Sequence, residues 1–316
     1  MGIALIFAMY AVWSSIYSLG RIALDCSPPV FLTASRMLLA GVLLIGFLAI
    51  KRPRLLKVNK RSFLSICALA FLGVYLTNVL ELWGLSYIAP AKVSLIYSLT
   101  PFFAAILSYI HFNEKMTAQK LIGMIVGFCG LLPILLAKNE SEDVLRAFTF
   151  FSWPELAVIG AVFFAAYGWI FLRSVVKEDI SSLCANGYAM LIGGTLALTH
   201  SLIFDSWQPI PVADGKLFPF FQGVILMTLI SNILCYNLYG YLLKKFTVTF
   251  LTLVGLSSPI FASINDWILR GEPLSWTVFL STGIISIGLF LVYQTELRQG
   301  YIARKEKKLA KQQANA

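Results

Sequence analysis

Three ionisable residues lie within apolar segments of the sequence that are long enough to cross a lipid bilayer. They are Arg36, Glu81 and Asp266. A charge near the centre of a membrane helix costs about 2.5–3.5 kcal/mol on the insertion scale, so such residues usually pair with one another or serve a function. One interpretation is an Arg36–Glu81 ion pair that joins two helices. The other is a binding site, in which Asp266 holds a substrate ammonium group or a proton.

Aromatic and amide side chains recur at helical spacing in the same segments. Tyr10, Trp13 and Tyr17 share one stripe, and Tyr236 follows Asn232 on another. Aromatic faces can stack on a planar ring or hold a cation, although such stripes also pack protein cores. The residues that we predict to contact a substrate are Tyr10, Trp13, Arg36, Asn78, Glu81, Tyr97, Ser98, Trp169, Asn186, Asn232, Tyr236 and Asp266.

One stretch of the sequence occurs twice, at a constant offset of 158 positions, as LIYSLTPFFAAILSYIHFNE and LVGLSSPIFASINDWILRGE. Each copy has a proline near its centre, Pro101 or Pro259. Proline lacks a backbone N–H, which leaves the carbonyl of Tyr97 or Gly255 without its usual helical partner. In lipid such a carbonyl is tolerated only beside protein or a water-filled cavity. We predict that both prolines are hinges bordering a cavity; a packed kink is the alternative.

The composition is that of a membrane protein. Hydrophobic residues make up 59% of the 316 residues and charged residues only 13%, with a mean hydropathy of +0.81. Soluble domains have about 25% charged residues, and a membrane helix needs about 20 mostly apolar ones. The segments that meet this condition are 2–21, 29–50, 63–87, 91–112, 119–137, 153–172, 183–204, 218–243, 248–269 and 275–294.

We therefore predict an all-α membrane protein with ten transmembrane helices arranged as two inverted five-helix repeats. An odd number of spans per repeat reverses the orientation of the second repeat. Most of the 25 lysines and arginines fall in alternate linkers and in the tail, which predicts that both termini are cytoplasmic. The predicted regions are a first repeat at 1–138, a linker at 139–152, a second repeat at 153–294 and a basic cytoplasmic tail at 295–316.

The chain offers little for an enzyme, a cofactor or a metal. It contains no GxxxxGK[ST], HExxH or GxSxG motif, and its cysteines share no spacing typical of a disulfide framework or a zinc site. His200 and Asp205 form an HxxxxD pattern resembling that of acyltransferases, so an acyltransferase-like enzyme or a non-transporting scaffold is the hypothesis of another class. We predict no cofactor, and we attribute the net charge of +10 to membrane orientation rather than to nucleic acid.

Several motifs carry a family resemblance. Trp13 is followed eight residues later by Arg21, SPPVFLTASRMLLAG contains Arg36, and SLTPFFAAILSYIHFNEKMTAQKLIGMIVGFCG has the counterpart SSPIFASINDWILRGEPLSWTVFLSTGIISIG. With these features the chain resembles the EamA-type, ten-span members of the drug/metabolite transporter superfamily. The resemblance implies a secondary transporter of the cell inner membrane that moves a small metabolite by alternating access.

Within that family the chain is similar, in general sequence rather than in a diagnostic motif, to the S-adenosylmethionine/S-adenosylhomocysteine exchangers of bacteria that live inside host cells. Exchange of these two metabolites is therefore the predicted function, and export of amino acids, aromatic metabolites or drugs is the alternative. The expected partners are a small-molecule substrate and the lipid bilayer. A Gly123–Gly127 pair predicts close helix packing or a homodimer contact.

Overall fold

A computed structural model describes residues 2–88, 90–133, 152–270 and 276–301. All regular structure in these ranges is helical. The helices that are long and apolar enough to cross a membrane are Pro29–Lys51, Lys60–Tyr87, Lys92–Phe112, Trp153–Lys177, Ser182–Phe204, Leu217–Leu242 and Trp276–Arg298. The predicted fold class is confirmed at this level: the chain is an all-helical, multi-pass membrane protein.

Shorter apolar helices account for the rest of the predicted spans in the described ranges. They are Gly2–Trp13, Ala118–Cys129 and Val248–Phe261. Helix length therefore does not confirm the predicted number of ten spans. The prediction of one helix over 2–21 is wrong, because that helix ends at Trp13 and a second one begins at Ile16. The hydroxyls of Ser14 and Ser15 donate to carbonyls three residues earlier, and serine bonds to backbone carbonyls can bend helices.

The α-helices are labelled in chain order. They are α1 (Gly2–Trp13), α2 (Ile16–Leu24), α3 (Pro29–Lys51), α4 (Lys60–Ala68), α5 (Thr77–Tyr87), α6 (Pro90–Tyr97), α7 (Thr100–Phe112), α8 (Ala118–Cys129), α9 (Trp153–Lys177), α10 (Ser182–Phe204), α11 (Leu217–Met227), α12 (Tyr236–Leu242), α13 (Val248–Val254), α14 (Ser258–Arg270) and α15 (Trp276–Arg298).

Two of the long spans contain a π-helical segment. Leu69–Leu76 joins α4 to α5, and Thr228–Cys235 joins α11 to α12. A side chain just after each segment donates to the carbonyl five residues earlier: the Thr77 hydroxyl at 2.9 Å and the Asn237 amide at 3.2 Å. The wide turns are thus supported by polar side chains rather than left with unpaired carbonyls. Such turns often lie at functional sites.

Both predicted hinge prolines lie in the first turn of a helix. Pro101 follows the first residue of α7, and Pro259 follows the first residue of α14, positions where a helix needs no N–H from them. The carbonyl of Tyr97 accepts the Thr100 hydroxyl, and a backbone N–H bonds to the carbonyl of Gly255. The two carbonyls expected to lack partners are therefore satisfied locally, and each proline follows a real break in its span.

Glycines set the closest helix contacts. A Cβ added at Gly288 in α15 would lie 2.5 Å from the carbonyl oxygen of Gly123 and 2.5 Å from the nitrogen of Gly127 in α8. The two backbones are in contact, so only glycine fits. The Gly123–Gly127 pair therefore packs two helices within the chain, which was one of its predicted uses. A homodimer remains a prediction.

Buried ion pairs join the ends of several helices. The Arg173 Nη2 lies 2.5 Å from a Glu114 carboxylate oxygen, and the Lys120 ammonium lies 2.8 Å from Glu296. Thr117 accepts the capping bond of α8, which leaves Glu114 to neutralise a buried guanidinium. Its repeat counterpart Glu272 lies outside the described residues.

Candidate functional site

A central cavity lies where α1, α3, α5 and α6 meet α9 and α12–α14. The space not filled by protein atoms, counted out to open solvent, is about 970 Å³. It is lined by Tyr10, Trp13, Ile16, Arg36, Thr77, Asn78, Glu81, Ser94, Tyr97, Ser98, Thr100, Ala165, Trp169, Ser231, Tyr236, Tyr239, Thr252, Gly255, Leu256, Ser258 and Pro259. Both predicted repeats contribute to this lining.

Close backbone contacts position the walls of the cavity. A Cβ on Gly168 would lie 2.6 Å from the Cα of Gly73, so α9 touches the first π segment one residue before Trp169. A Cβ on Gly41 would lie 2.7 Å from Leu191. This contact brings α10 against α3, the helix that carries Arg36. Because these contacts admit no side chain, they leave little freedom for the helices to shift.

One wall of the cavity is aromatic. The Trp169 ring stacks on Tyr239 with a centroid separation of 4.1 Å and lies 5.1 Å from Tyr236. Trp13 lies 6.0 Å from Trp169, 5.7 Å from Tyr236 and 6.1 Å from Tyr239. Tyr10 stacks on Trp13 at 5.9 Å. These rings form a continuous surface that could hold a flat ring or a cation.

Gly255 makes room for the outermost ring of this wall. A Cβ at Gly255 would lie 3.0 Å from the Tyr10 ring, and the Tyr10 hydroxyl donates to the Leu251 carbonyl at 3.0 Å. The position that corresponds to Gly255 in the first copy of the repeat is Tyr97. The break in α13–α14 therefore admits an aromatic side chain from α1, whereas the break in α6–α7 supplies its own.

The lining of the cavity also carries two charges. Arg36 is only 3% exposed; its Nη2 donates to the Asn78 side-chain oxygen, and its Nε has no hydrogen-bond partner in the described part of the chain. The Glu81 carboxylate accepts the Tyr97 hydroxyl at 2.7 Å. The interpretation of a direct Arg36–Glu81 ion pair is therefore wrong for this structure. Each charge has a neutral partner, although the two lie within electrostatic reach of each other.

Comparison with known proteins places this arrangement in a family. The profile of the EamA-like transporter family matches residues 1–136 and 152–294. The chain belongs to the EamA-like transporter family. As an EamA-like chain it is assigned to transporters rather than to enzymes, which confirms the sequence prediction on that point. The His200 ring of the HxxxxD pattern contacts the Tyr75 hydroxyl at 2.9 Å.

The sequences of several relatives align with almost the whole chain. A protein named S-adenosylmethionine/S-adenosylhomocysteine transporter from Chlamydia muridarum is 39% identical over 308 residues, covering 97% of this chain and 96% of its own. One with the same name from Chlamydia trachomatis serovar L2 is 39% identical over 97% of this chain and 93% of its own. The uncharacterized inner membrane transporter YedA of Escherichia coli K12 is 25% identical, covering 91% of this chain and 89% of its own.

A crystal structure supports the fold of this EamA-like chain. Its TM-score is 0.69, at 14% sequence identity, and the alignment covers 92% of this chain and 96% of the other. Identity at this level shows the fold alone.

Several predicted site residues of this family member lie elsewhere. Asn186 donates to the Asn237 side chain at 3.1 Å, and Asn232 donates to the Met37 sulfur at 3.0 Å. Both are buried and neither lines the cavity, because their helix faces pack against α12 and α3. The predicted contribution of the seventh span, α10, to the lining is therefore absent among the described residues.

Other predictions stand apart from the cavity or cannot be placed. Pro101 is buried and is not among the lining residues, whereas Pro259 lines the cavity. The side chains of Asp266 and Tyr17 lie outside the described residues, so the binding role of Asp266 remains a prediction from the sequence.

Some lining residues were missed by sequence reasoning. Tyr239 lies three positions after Tyr236 on the same helix face, and this spacing alone could have indicated it. Thr77 and Ser231 lie at or inside the π segments, whose changed register no helical periodicity predicts. Thr252 hydrogen-bonds to carbonyls of its own helix and has no sequence signal of a site. Among the described residues, no cluster of three metal-binding side chains occurs.

Proposed function

We propose that this protein exchanges S-adenosylmethionine for S-adenosylhomocysteine across the inner membrane, as a secondary transporter working by alternating access. The observation that carries this proposal is a central cavity lined by a guanidinium, a carboxylate and a continuous aromatic surface. The two Chlamydia relatives, named for these metabolites and similar along nearly their full length, support the same substrate.

The chemistry of the two metabolites suits these walls. Both carry an adenine ring, which aromatic side chains can stack on, worth about 1–3 kcal/mol per base. Both also carry an amino-acid head with an ammonium and a carboxylate, which charged groups of a desolvated site can bind. S-adenosylmethionine has an additional cationic sulfur, for which an aromatic wall is a suitable surface.

The proposed architecture is ten spans in two inverted five-helix repeats, with regions at 1–138, 139–152, 153–294 and 295–316. Three paired features support it: π segments at 69–76 and 228–235, breaks before Pro101 and Pro259, and the two stretches that match the family profile. Inverted repeats with broken helices near the midplane are a recurrent plan of secondary transporters. Substrate would then shift the equilibrium between two packings of the repeats.

The proposed orientation has both termini in the cytoplasm. Lysine and arginine are concentrated between α3 and α4, at Lys244 and Lys245, and in the segment 298–311, as the positive-inside rule requires. In this orientation the Glu114–Arg173 and Lys120–Glu296 pairs lie at the cytoplasmic ends of their helices.

Counterflow in proteoliposomes tests the proposal. Purified protein is reconstituted with internal unlabelled S-adenosylhomocysteine, and uptake of labelled S-adenosylmethionine is followed against empty liposomes. We expect uptake that requires the internal metabolite, and no comparable uptake of labelled amino acids. Uptake of amino acids in preference to either adenosyl metabolite, by folded protein, would overturn the assigned substrate.

A further inference from the structure

Arg36 is a buried cation whose hydrogen-bonding capacity is not used up by the protein. Its Nη2 donates to the amide oxygen of Asn78, while its Nε is buried and unpartnered in the described part of the chain. Asn78 in turn donates to the Val74 carbonyl at 2.7 Å, which holds the amide oxygen towards Arg36. A neutral amide cannot balance the guanidinium charge, and an unmet donor on a buried charge is costly.

Glu81 shows the complementary arrangement. Its carboxylate accepts the Tyr97 hydroxyl, which is again a neutral partner, and it lies within electrostatic reach of Arg36. A direct ion pair would have satisfied both groups, but Asn78 and Tyr97 hold them apart on the same wall of the cavity. The protein thus presents an anion-binding and a cation-binding group side by side, each already oriented by a neutral neighbour.

We infer that Arg36 and Glu81 form a subsite for a zwitterionic α-amino-acid head, with Arg36 binding its carboxylate and Glu81 its ammonium. The inference rests on the proposed function and deepens it by assigning the ends of the substrate. The head enters between the two charges, and the planar ring lies against Trp13, Trp169 and Tyr236. An arginine fork suits a carboxylate because two parallel N–H donors match its two oxygens.

This assignment explains how one site can serve both directions of an exchange. The two metabolites have identical heads and identical rings and differ at the sulfur, which neither Arg36 nor Glu81 contacts in this assignment. The subsite therefore accepts both and rejects adenosyl compounds that lack the carboxylate. If Glu81 bound the cationic sulfur instead of the ammonium, it would favour S-adenosylmethionine alone.

Competition against labelled S-adenosylmethionine bound to purified protein tests the subsite. The competitors are S-adenosylhomocysteine and decarboxylated S-adenosylmethionine, and the variants are Arg36→Gln, Arg36→Lys and Glu81→Gln. We expect the native protein to prefer the intact over the decarboxylated compound by about 10–100-fold, the range for a bond to a charged group. In Arg36→Gln this preference should approach 1, and in Arg36→Lys it should be intermediate.

Arg54→Gln is the matched control, because Arg54 is exposed on the short helix Pro53–Leu56 outside the cavity. It should keep the native preference. For Glu81→Gln we expect equal losses of affinity for both metabolites, about 10-fold or more. The Arg36→Lys variant keeps the charge, so it remains informative if Arg36→Gln does not fold.

Three results would overturn the subsite. The first is a folded Arg36→Gln variant that keeps the native preference and the native affinity. The second is an Arg36→Gln variant that loses affinity equally for the intact and the decarboxylated compound. The third is a loss of affinity in Glu81→Gln that is confined to S-adenosylmethionine. If the native protein binds neither metabolite, the proposed function fails instead. The subsite is then tested with methionine, which has the same head, and binding lost in Arg36→Gln but kept in Arg54→Gln supports it, whereas unchanged binding rejects it.

Discussion

At the residue scale, the cavity combines two kinds of side chain that apolar segments rarely tolerate together. The charges of Arg36 and Glu81 are hydrogen-bonded to neutral partners rather than to each other. The rings of Trp13, Trp169 and Tyr236 meet across helices from both predicted repeats. A polar group in this position needs a partner inside the protein or the cavity.

Trp13 is the ring that contacts the largest number of its aromatic neighbours, so its loss should weaken ligand binding. We expect Trp13→Ala to reduce the affinity for S-adenosylmethionine by about 1–3 kcal/mol, the range for loss of a stacked ring. Trp276→Ala is the control, since Trp276 is 70% exposed and outside the cavity. Titration of purified protein with the labelled metabolite measures both. Equal affinities in the two variants would show that the aromatic wall does not bind the ring.

At the element scale, breaks and close contacts decide which faces the helices present. The prolines begin new helices rather than distort old ones, and the π segments shift the register before Asn78 and Tyr236. The peripheral contact of α8 with α15 depends on glycine. These features are local in sequence, but their effect on the cavity arises only when the helices pack.

Gly288→Val should destabilise the protein, because its side chain would overlap the backbone of Gly123 and Gly127. Overpacking of this kind costs about 1–3 kcal/mol. Gly283→Val is a control on the same helix, since nothing lies within 4 Å of a Cβ there. Thermal unfolding in detergent measures the difference. A midpoint for Gly288→Val equal to that of Gly283→Val would contradict the packing.

The Glu114–Arg173 ion pair joins the end of α7 to α9 and is almost fully buried. Removing one partner should cost about 3–5 kcal/mol, because the other charge is left buried without compensation. We therefore expect Glu114→Leu to be more destabilised than the double variant Glu114→Leu/Arg173→Leu. Unfolding midpoints of the single and double variants give the coupling between the two sites. A double variant that loses the sum of the single losses would argue against a coupled pair.

At the scale of the whole molecule, the cavity lies where two similar halves meet, as alternating access requires. The proposed orientation of those halves rests on the distribution of lysine and arginine. The exposed large apolar side chains, among them Ile50, Phe204, Phe218 and Phe279, are the surface expected of a protein that lies in lipid.

Reporter fusions test the orientation. We expect a fluorescent protein fused after Arg298 to be active and alkaline phosphatase fused there to be inactive, because the positive-inside rule places this end in the cytoplasm. The reverse result is expected for fusions in the loop 205–216 between α10 and α11. Phosphatase activity at both positions would mean that the two lie on the same side and that the number of intervening spans is even.

The sequence by itself determined the class and the family, and nine of the twelve residues predicted to contact a substrate line the cavity. Backbone groups in lipid must be satisfied within helices, so apolar length alone reveals the spans. Polar residues in those spans must face the interior, and Arg36, Glu81 and Trp13 line one cavity. These inferences need only the local pattern and the cost of burying charge.

The tertiary structure alone decided the partners and the exact faces. It paired Arg36 with Asn78 and Glu81 with Tyr97, although an ion pair between the charges was equally consistent with the sequence. It also turned Asn232 away from the cavity and brought Tyr239 into it. The physical reason is rotation about the helix axis. A π turn or a break changes the direction in which every following side chain points, and only packing against neighbouring helices sets the final orientation of the helix.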